Sequence, residues 1–277
     1  DKVRSFHLLR HLSRRYTVHV GAFVDDPSDW KYESAIRDHC AGEVALFGLH
    51  PLYAKIRSLR GLITGDPLSV PYYSDRRMQV WVDRVLKEKQ IGHAIAFSSP
   101  MAQYLMGRGE ICRLADFVDV DSEKWKQYAA MRPWPLRWLF GREGSTLLRF
   151  EHGVCREFDR TLFVSDAEAS LFRSTAPELA PRVGFVSNGV DCEYFSPERQ
   201  YDRPFSETGP NIVFTGAMDY WPNVDAVTWF TGAVFPAIQA REPNARFWVV
   251  GTRPSTAVRR LAAVPGVHVT GSVPDEI

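Results

Sequence analysis

The fold is decided by a short stretch in the last third of the chain, which reads Asn211-Ile212-Val213-Phe214-Thr215-Gly216-Ala217-Met218-Asp219-Tyr220-Trp221-Pro222-Asn223. Its first residues are β-rich and predict a strand, and Pro222 is typical of the first turn of a helix. Gly216 lets the backbone approach an anion closely, while the helix start offers unpaired N–H groups. The stretch therefore predicts a strand–loop–helix unit that either cradles a phosphate group or is an ordinary turn that binds nothing.

Strand-like and helix-like patterns alternate along the rest of the chain. Strands are predicted at 16–24, 43–47, 93–97, 115–120, 161–164, 182–186, 211–214, 246–250 and 267–270. Helical spacing of apolar residues predicts a helix that begins near Glu123 and one over 137–158 that is broken around 141–144. Such alternation predicts βαβ units and a mainly parallel sheet, so the expected fold class is α/β.

A linker is predicted between two domains. Residues 196–210 hold three prolines, a glycine and five charged residues, which is typical of a connecting segment. We therefore expect an N-terminal α/β domain over 1–205 and a second α/β domain over 206–277. The chain opens within a helical pattern and ends after a strand-like run. We therefore expect the first N-terminal strand to be missing and the C-terminal domain to be incomplete.

Composition excludes several classes of protein. The 277 residues carry a formal net charge of +1, which argues against a nucleic-acid-binding protein held by a basic face. Hydrophobic residues make up 45%, as in ordinary globular proteins, and no apolar run is long enough to span a membrane. The four cysteines form no CxxC pair and the eight histidines show no ligand spacing, so no metal site is predicted. The G-x-G-x-x-G and P-loop fingerprints are also absent, which argues against an NAD enzyme or a kinase-type ATPase.

The stretch most informative about function is Val186-Ser187-Asn188-Gly189-Val190-Asp191-Cys192-Glu193-Tyr194-Phe195. Together with the strand that ends in Gly216 and the run Val249-Val250-Gly251-Thr252-Arg253-Pro254, it resembles the family-four retaining glycosyltransferases of the GT-B fold. Those enzymes carry NGVD…F just before the crossover between their domains. Residues 117–122, 158–165 and 214–223 extend the resemblance to the sugar transferases associated with bacterial exopolysaccharide systems.

The resemblance implies two Rossmann-like domains and a sugar transfer. The donor would be a nucleoside-diphosphate-sugar and the acceptor a glycan or a lipid-linked carrier, with retention of the anomeric configuration. The donor is then a substrate, no cofactor, metal or nucleic acid is implied, and the enzyme is expected to be cytoplasmic, or peripheral at the inner face of the membrane. Two alternatives stay open, namely a nucleotide-sugar epimerase of the same fold and a non-catalytic nucleotide-sugar-binding protein.

The donor-binding residues follow from the same resemblance. It assigns to the donor the residues Lys2, Arg4, Asn188, Gly189, Gly216, Gly251 and Arg253. The basic residue that often follows the first donor-domain glycine is replaced here by Ala217-Met218-Asp219, and we expect Arg253 to supply the missing positive charge. For the three basic residues the alternative is an ordinary solvated surface charge.

Asp119 and Asp121 are the candidate catalytic residues on the acceptor side. Two carboxylates two residues apart in a strand point the same way, so they could share a proton or position a hydroxyl group. The alternative is that Asp121 simply caps the next helix. The carboxylate pair of the family, E-x7-E, would lie beyond Ile277, so we expect residues 1–277 alone to be inactive.

Residues 131–142 read MRPWPLRWLFGR and mix aromatic side chains with arginines. This mixture suits the interface of an anionic bilayer and predicts a peripheral membrane contact. The prolines at 133 and 135 should keep any helix from starting before Leu136. The alternative is a loop whose aromatic side chains pack under the acceptor domain.

Overall fold

The computed structural model describes residues 2–200 and 209–273, and it divides the chain into two compact units, Asp1–Val190 and Asp191–Ile277. The predicted domain boundary at 205/206 falls within residues 201–208, outside the described residues. Every strand pairing in the described part of the chain is parallel, which confirms the α/β class. No helix among the described residues is long and apolar enough to cross a membrane.

The N-terminal unit is built on parallel strands. They are β1 Val20–Val24, β2 Val44–Gly48, β3 His93–Phe97, β4 Cys112–Val118, β5 Arg160–Phe163 and β6 Val183–Phe185. Strands β1 and β2 pair with each other, and the other four form a sheet in the order β3-β4-β5-β6. Because all four run the same way, their carboxyl ends lie along one edge of the sheet, where ligands of open α/β sheets usually bind.

Nine α-helices are described in this unit. They are α1 Lys2–Leu12, α2 Glu33–His39, α3 Pro51–Ser58, α4 Arg60–Thr64, α5 Ser69–Tyr72, α6 Arg76–Glu88, α7 Asp121–Ala130, α8 Leu136–Glu157 and α9 Asp166–Thr175. Short 3-10 helices cover Pro27–Tyr32, Ser99–Tyr104 and Pro177–Arg182. The core centres on fully buried aromatic rings, among which Phe163 lies 5.8 Å from Phe117 and 5.0 Å from Phe172 between ring centroids.

Helix α8 runs unbroken from Leu136 to Glu157, so the predicted interruption around 141–144 is wrong. The helix continues through Gly144 because of tertiary packing. A Cβ on Gly144 would lie 2.8 Å from the Lys126 side chain and 2.8 Å from the Ser122 carbonyl oxygen, both on α7. The glycine therefore allows two helices to approach closely, and that packing offsets the roughly 1 kcal/mol that a glycine costs inside a helix.

Helix α7 begins at Asp121, two residues before the predicted start near Glu123. Val120 occupies the capping position and makes no side-chain capping bond. Asp121 is therefore not the capping residue of this helix, and its carboxylate lies within the first helical turn, where a negative charge stabilises the helix.

The C-terminal unit repeats the same principle on a smaller scale. Its strands β7 Asn211–Thr215, β8 Arg246–Val250 and β9 Val267–Gly271 are parallel and adjacent in that order. Its helices are α10 Trp221–Trp229, α11 Phe235–Arg241 and α12 Thr256–Leu261, with a π-helical turn at Phe230–Val234 between the first two. Phe235, Phe247 and Val249 are buried between the helices and one face of the sheet.

The backbone approach of Gly251 to Gly216 fixes the edge of this sheet. Gly251 has a φ of 157°, and a Cβ built on it would lie 1.7 Å from the Gly216 carbonyl oxygen. The Gly251 N–H donates to the Gly271 carbonyl at 3.1 Å, and the Gly216 N–H donates to the Val250 carbonyl at 3.1 Å. The three strand ends are therefore held together by main-chain contacts that leave no room for a side chain.

This approach predicts that Gly251→Ala destabilises the C-terminal unit. The added methyl group must displace the Gly216 carbonyl, at a cost of roughly 2–4 kcal/mol in the free energy of unfolding. Urea unfolding followed by circular dichroism measures this. Gly232→Ala is the matched control, because a Cβ at Gly232 meets nothing within 4 Å. Equal stability of the two variants would contradict the packing described for Gly251.

Candidate functional site

The loop after β7 is pinned to the loop after β8. The Met218 N–H donates to the Thr252 carbonyl at 2.9 Å, and the Ser255 N–H donates to the Met218 carbonyl at 3.1 Å. The Met218 side chain is fully buried beneath this pair of loops. The two loops therefore form one rigid edge at the carboxyl ends of β7 and β8, which we call the loop edge, residues 216–220 and 251–255.

Gly216 is required by the packing of the loop edge itself. A Cβ on Gly216 would lie 2.7 Å from Asn223 Nδ2, and that amide nitrogen donates to the Ala217 carbonyl at 3.0 Å. The Asn223 side chain thereby holds the strand end against the first turn of α10. The sequence predicted Gly216 as a residue that lets a ligand approach, and the structure adds that the glycine first makes room for Asn223.

Several backbone amides of the loop edge are available to an anion. The N–H groups of Ala217, Thr252 and Arg253 donate to no group in the described part of the chain. Arg253 has a φ of 49°, a left-handed conformation that is uncommon for residues other than glycine. Neighbouring amides in such turns form concave sites that suit phosphate oxygens.

Arg253 is already paired within the loop edge. Its Nε lies 2.8 Å from Asp219 Oδ2, and the two side chains are 69% and 44% exposed. Asp219 lies where the family often has a basic residue, and Arg253 was expected to supply the positive charge that is missing there. Asp219 instead neutralises part of the charge of Arg253. An exposed pair of this kind contributes little to stability, so Arg253 can exchange Asp219 for another anion at small cost.

In the N-terminal unit, the two predicted catalytic carboxylates do not lie in a strand as expected, because β4 ends at Val118 and Asp121 begins α7. Lys124 is the residue that brings them together. The Lys124 ammonium lies 2.6 Å from Asp119 Oδ2 and 3.3 Å from Asp121 Oδ1, at the carboxyl end of β4. Burial raises the pKa of Asp121, with Lys124 opposing and the charges of Asp119 and Glu168 adding to the rise. Burial alone would lower the pKa of Lys124, but the two carboxylates outweigh it and hold that pKa above its usual value. A carboxylate whose pKa is raised is a better proton acceptor for a hydroxyl group.

Sequence reasoning missed Glu151, which is fully buried on α8. The Ser122 hydroxyl donates to Glu151 Oε2 at 2.6 Å, and Ser99 Oγ lies 3.4 Å from Oε1. Burial raises the pKa of Glu151 to about 8, opposed by the Ser122 hydrogen bond and reinforced by the charge of Asp121. One signal could have found it, because Glu151 falls at helical spacing from the buried Leu147 and Val154.

Arg4 and Asn188 were both assigned to the donor, and they are in contact in the structure. The Arg4 side chain, however, is already bound to other groups of the N-terminal unit. Its guanidinium forms an ion pair with Asp116 at 3.0 Å, with the side chains only 8% and 2% exposed. Its Nη1 also donates to the Val186 carbonyl at 2.7 Å and to Asn188 Oδ1 at 3.0 Å. Burial raises the pKa of Asp116, and the positive charge of Arg4 opposes that rise. Arg4 therefore joins α1, β4 and the segment after β6.

The remaining predicted donor residues lie at exposed or undescribed positions. Gly189 is exposed, and a Cβ there would meet nothing within 4 Å. Only the backbone of Lys2 is described, at the start of α1, so the role predicted for its side chain lies outside the described part of the structure.

The pKa of Glu151 predicts how stability changes with pH. The folded protein keeps a proton on Glu151 up to about pH 8, whereas the ordinary value is 4.5. The stabilising contribution is therefore complete below about pH 4.5 and is lost as the pH rises through 8. We expect Glu151→Gln to match the wild type at pH 5 within about 1 kcal/mol and to be more stable than it at pH 9 by a few kcal/mol.

Urea unfolding at the two pH values measures this difference. The matched control is Glu110→Gln, which alters an exposed carboxylate. A stability difference between Glu151→Gln and the wild type that stays the same from pH 5 to pH 9 would show that Glu151 does not titrate in this range.

Comparison with known proteins finds a family match within the C-terminal unit. Residues 209–277, about a quarter of the chain, match the family model described as glycosyl transferases group 1. A search of curated proteins found no match. Among solved structures, the UDP co-structure of MnaA from S. aureus is similar with a TM-score of 0.42 and 10% identity, over 92% of this chain and 69% of that one. The UDP-GlcNAc 2-epimerase from Neisseria meningitidis bound to UDP-GlcNAc is similar with a TM-score of 0.41 and 11% identity, over 93% of this chain and 72% of that one. The family match confirms the resemblance to glycosyltransferases at the level of group 1 for residues 209–277.

Proposed function

We propose that the protein is a glycosyltransferase that moves a sugar from a nucleoside-diphosphate-sugar to a hydroxyl group of a glycan or lipid-linked acceptor. The observation that carries the proposal is the match of residues 209–277 to glycosyl transferases group 1. The loop edge with its unpaired amides lies within those residues, at the strand ends where ligands of parallel sheets bind. Assignment to family four, retention of configuration, exopolysaccharide synthesis and a cytoplasmic location follow from the sequence resemblance and belong to the same proposal.

The loop edge is proposed to hold the diphosphate. The amides of Ala217, Thr252 and Arg253 would donate to phosphate oxygens, and Arg253 would exchange Asp219 for the diphosphate. Such donors act most strongly on the charge that develops when the bond between the anomeric carbon and the diphosphate oxygen breaks. Because the amides are fixed by the contacts of Gly216, Gly251 and Met218, they need little rearrangement during the reaction.

The carboxylates around Lys124 are proposed to act on the acceptor. The acceptor oxygen forms the new bond to the sugar and loses its proton, and Asp121 is the group best suited to receive that proton because its pKa is raised. Asp119 is the closer partner of Lys124 and would hold the ammonium in place. Lys124 in turn keeps the paired carboxylates from repelling each other. An epimerase or a simple binding protein would need the donor contacts but no place for an acceptor hydroxyl.

Nucleotide binding measured by calorimetry tests the role of the loop edge. Arg253→Ala should weaken UDP or GDP by about tenfold or more while leaving the free nucleoside nearly unchanged, because a charge-assisted contact to phosphate contributes roughly 1.5–3 kcal/mol. Asp219→Asn should strengthen diphosphate binding, because it frees Arg253 and removes a negative charge. Arg260→Ala is the matched control, since Arg260 is an exposed arginine at the end of α12.

Equal losses of nucleotide and nucleoside in Arg253→Ala would mean that Arg253 does not contact phosphate. If the wild type binds neither nucleotide, the donor role of the loop edge fails. Transfer of the sugar to an acceptor would exclude the two alternatives, and its loss in Asp121→Asn would show that Asp121 serves the acceptor hydroxyl. Donor binding without transfer to any acceptor would favour the alternatives.

A further inference from the structure

Helices α3 and α4 turn an apolar stripe towards solvent. Leu59, which joins them, keeps a right-handed helical conformation, so the two helices run on almost continuously. The stripe consists of residues spaced four, three and four apart, with the exposures Leu52 68%, Ile56 59%, Leu59 53% and Ile63 90%. A stripe with this spacing normally faces a protein core. An apolar surface of this extent on the outside of a protein usually marks an interaction site.

This outward orientation is fixed by the other side of the helices. Ala54, Ser58 and Gly61 are buried there. The Arg57 guanidinium donates to the Pro71 carbonyl at 2.8 Å and to the Tyr72 carbonyl at 2.6 Å, which ties α3 to α5. The buried face therefore already has its partners within the unit, and the helices cannot turn over to bury the stripe without breaking them.

Trp134 lies two residues before α8 and Trp138 in its first turn, and Arg142 links this end of α8 to α4. Trp134 is 82% exposed and Trp138 is 58% exposed, so the interpretation in which these aromatic side chains pack under the domain is wrong for both. Arg142, one helical turn after Trp138, donates to the Gly61 carbonyl at 2.5 Å and to the Asp66 carbonyl at 3.2 Å. These bonds hold the first turns of α8 against α4. Arg142 is thus a structural residue and does not belong to a membrane contact.

The charged residues within these two segments are all basic. Residues 51–64 and 131–142 each hold three basic residues and no acidic one, although the chain as a whole is nearly neutral. Lys55, Arg60, Arg132 and Arg137 are exposed and pair with no carboxylate in the described part of the chain. A symmetric contact with a second copy of the chain would bring these cations together. An anionic surface would neutralise them.

We propose that the apolar stripe of α3–α4, together with Trp134 and Trp138, lies on an anionic lipid bilayer. The aliphatic and tryptophan side chains enter the boundary between headgroups and acyl chains, and the surrounding Lys and Arg side chains contact lipid phosphates. The sequence predicted a membrane contact for residues 131–142 only. The apolar side chains that α3 and α4 add to it are seen only in the structure. Vesicle binding requires no nucleotide, so it is independent of the proposed sugar transfer.

Flotation of the protein with lipid vesicles tests this proposal. We expect binding to phosphatidylglycerol vesicles, weaker binding to phosphatidylcholine vesicles, and a loss of binding as salt is added. Ile56→Glu with Ile63→Glu, and Trp134→Ala with Trp138→Ala, should each reduce binding by about tenfold or more, because each pair removes two inserted side chains. The matched controls are Val80→Glu on α6 and Trp229→Ala on α10, which are 57% and 62% exposed in the wild type and lie outside this surface.

The substituted side chains are exposed, so the variants should unfold at the same temperature as the wild type. Failure of the wild type to float with phosphatidylglycerol would overturn the proposal, as would double variants that bind like the controls. Sedimentation velocity without lipid tests whether a second copy of the chain covers this surface. The surface would instead be assigned to a second copy of the chain if the protein does not bind vesicles but forms a dimer, and if Ile56→Glu with Ile63→Glu dissociates that dimer.

Discussion

The contact between the Gly251 backbone and the Gly216 carbonyl is the constraint on which the C-terminal unit depends. It brings the ends of β7 and β8 so close that Gly251 can carry no side chain. The loops that follow are then joined through Met218, and the amides of Ala217, Thr252 and Arg253 are left at the surface without partners in the described chain. A requirement of packing thereby creates a set of N–H groups suited to an anion. Structure and proposed function share the same glycines.

In the N-terminal unit, buried ionisable side chains hold the proposed site residues in place. Taking Asp116, Arg4 and Glu151 out of water is costly, and each is compensated differently. Arg4 neutralises Asp116 and links three elements, whereas Glu151 keeps a proton and accepts from Ser122. Both devices lie at the carboxyl edge of the sheet, beside the Asp119–Lys124–Asp121 group. Their rigidity holds the carboxylates that we propose to act on the acceptor.

Much of the fold could be predicted from the sequence, because its parallel strands appear as short, mostly apolar runs such as His93–Phe97 and Arg246–Val250. Where prediction failed, tertiary contacts overrode local preference. Gly144 does not break α8 because α7 packs against it. Helices α3 and α4 were not predicted, although their apolar residues stand at helical spacing, and Arg57 and Arg142 hold them in place through contacts distant in sequence. The resemblance assigned Gly216 and Gly251 to the donor, and the structure adds that both are required by packing. The pairing of Arg253 with Asp219 and the burial of Glu151 could not be predicted, since each depends on residues that the sequence alone does not place together.

The central claim is that the loop edge of the C-terminal unit holds the diphosphate of a nucleotide-sugar. Titration of the ¹⁵N-labelled protein with UDP or GDP, followed by amide chemical shifts, tests it most directly. The account predicts that the amides of Ala217, Thr252 and Arg253 shift together and saturate with one affinity, while the free nucleoside moves them less. Binding that leaves these three amides unchanged and shifts other residues would contradict the account.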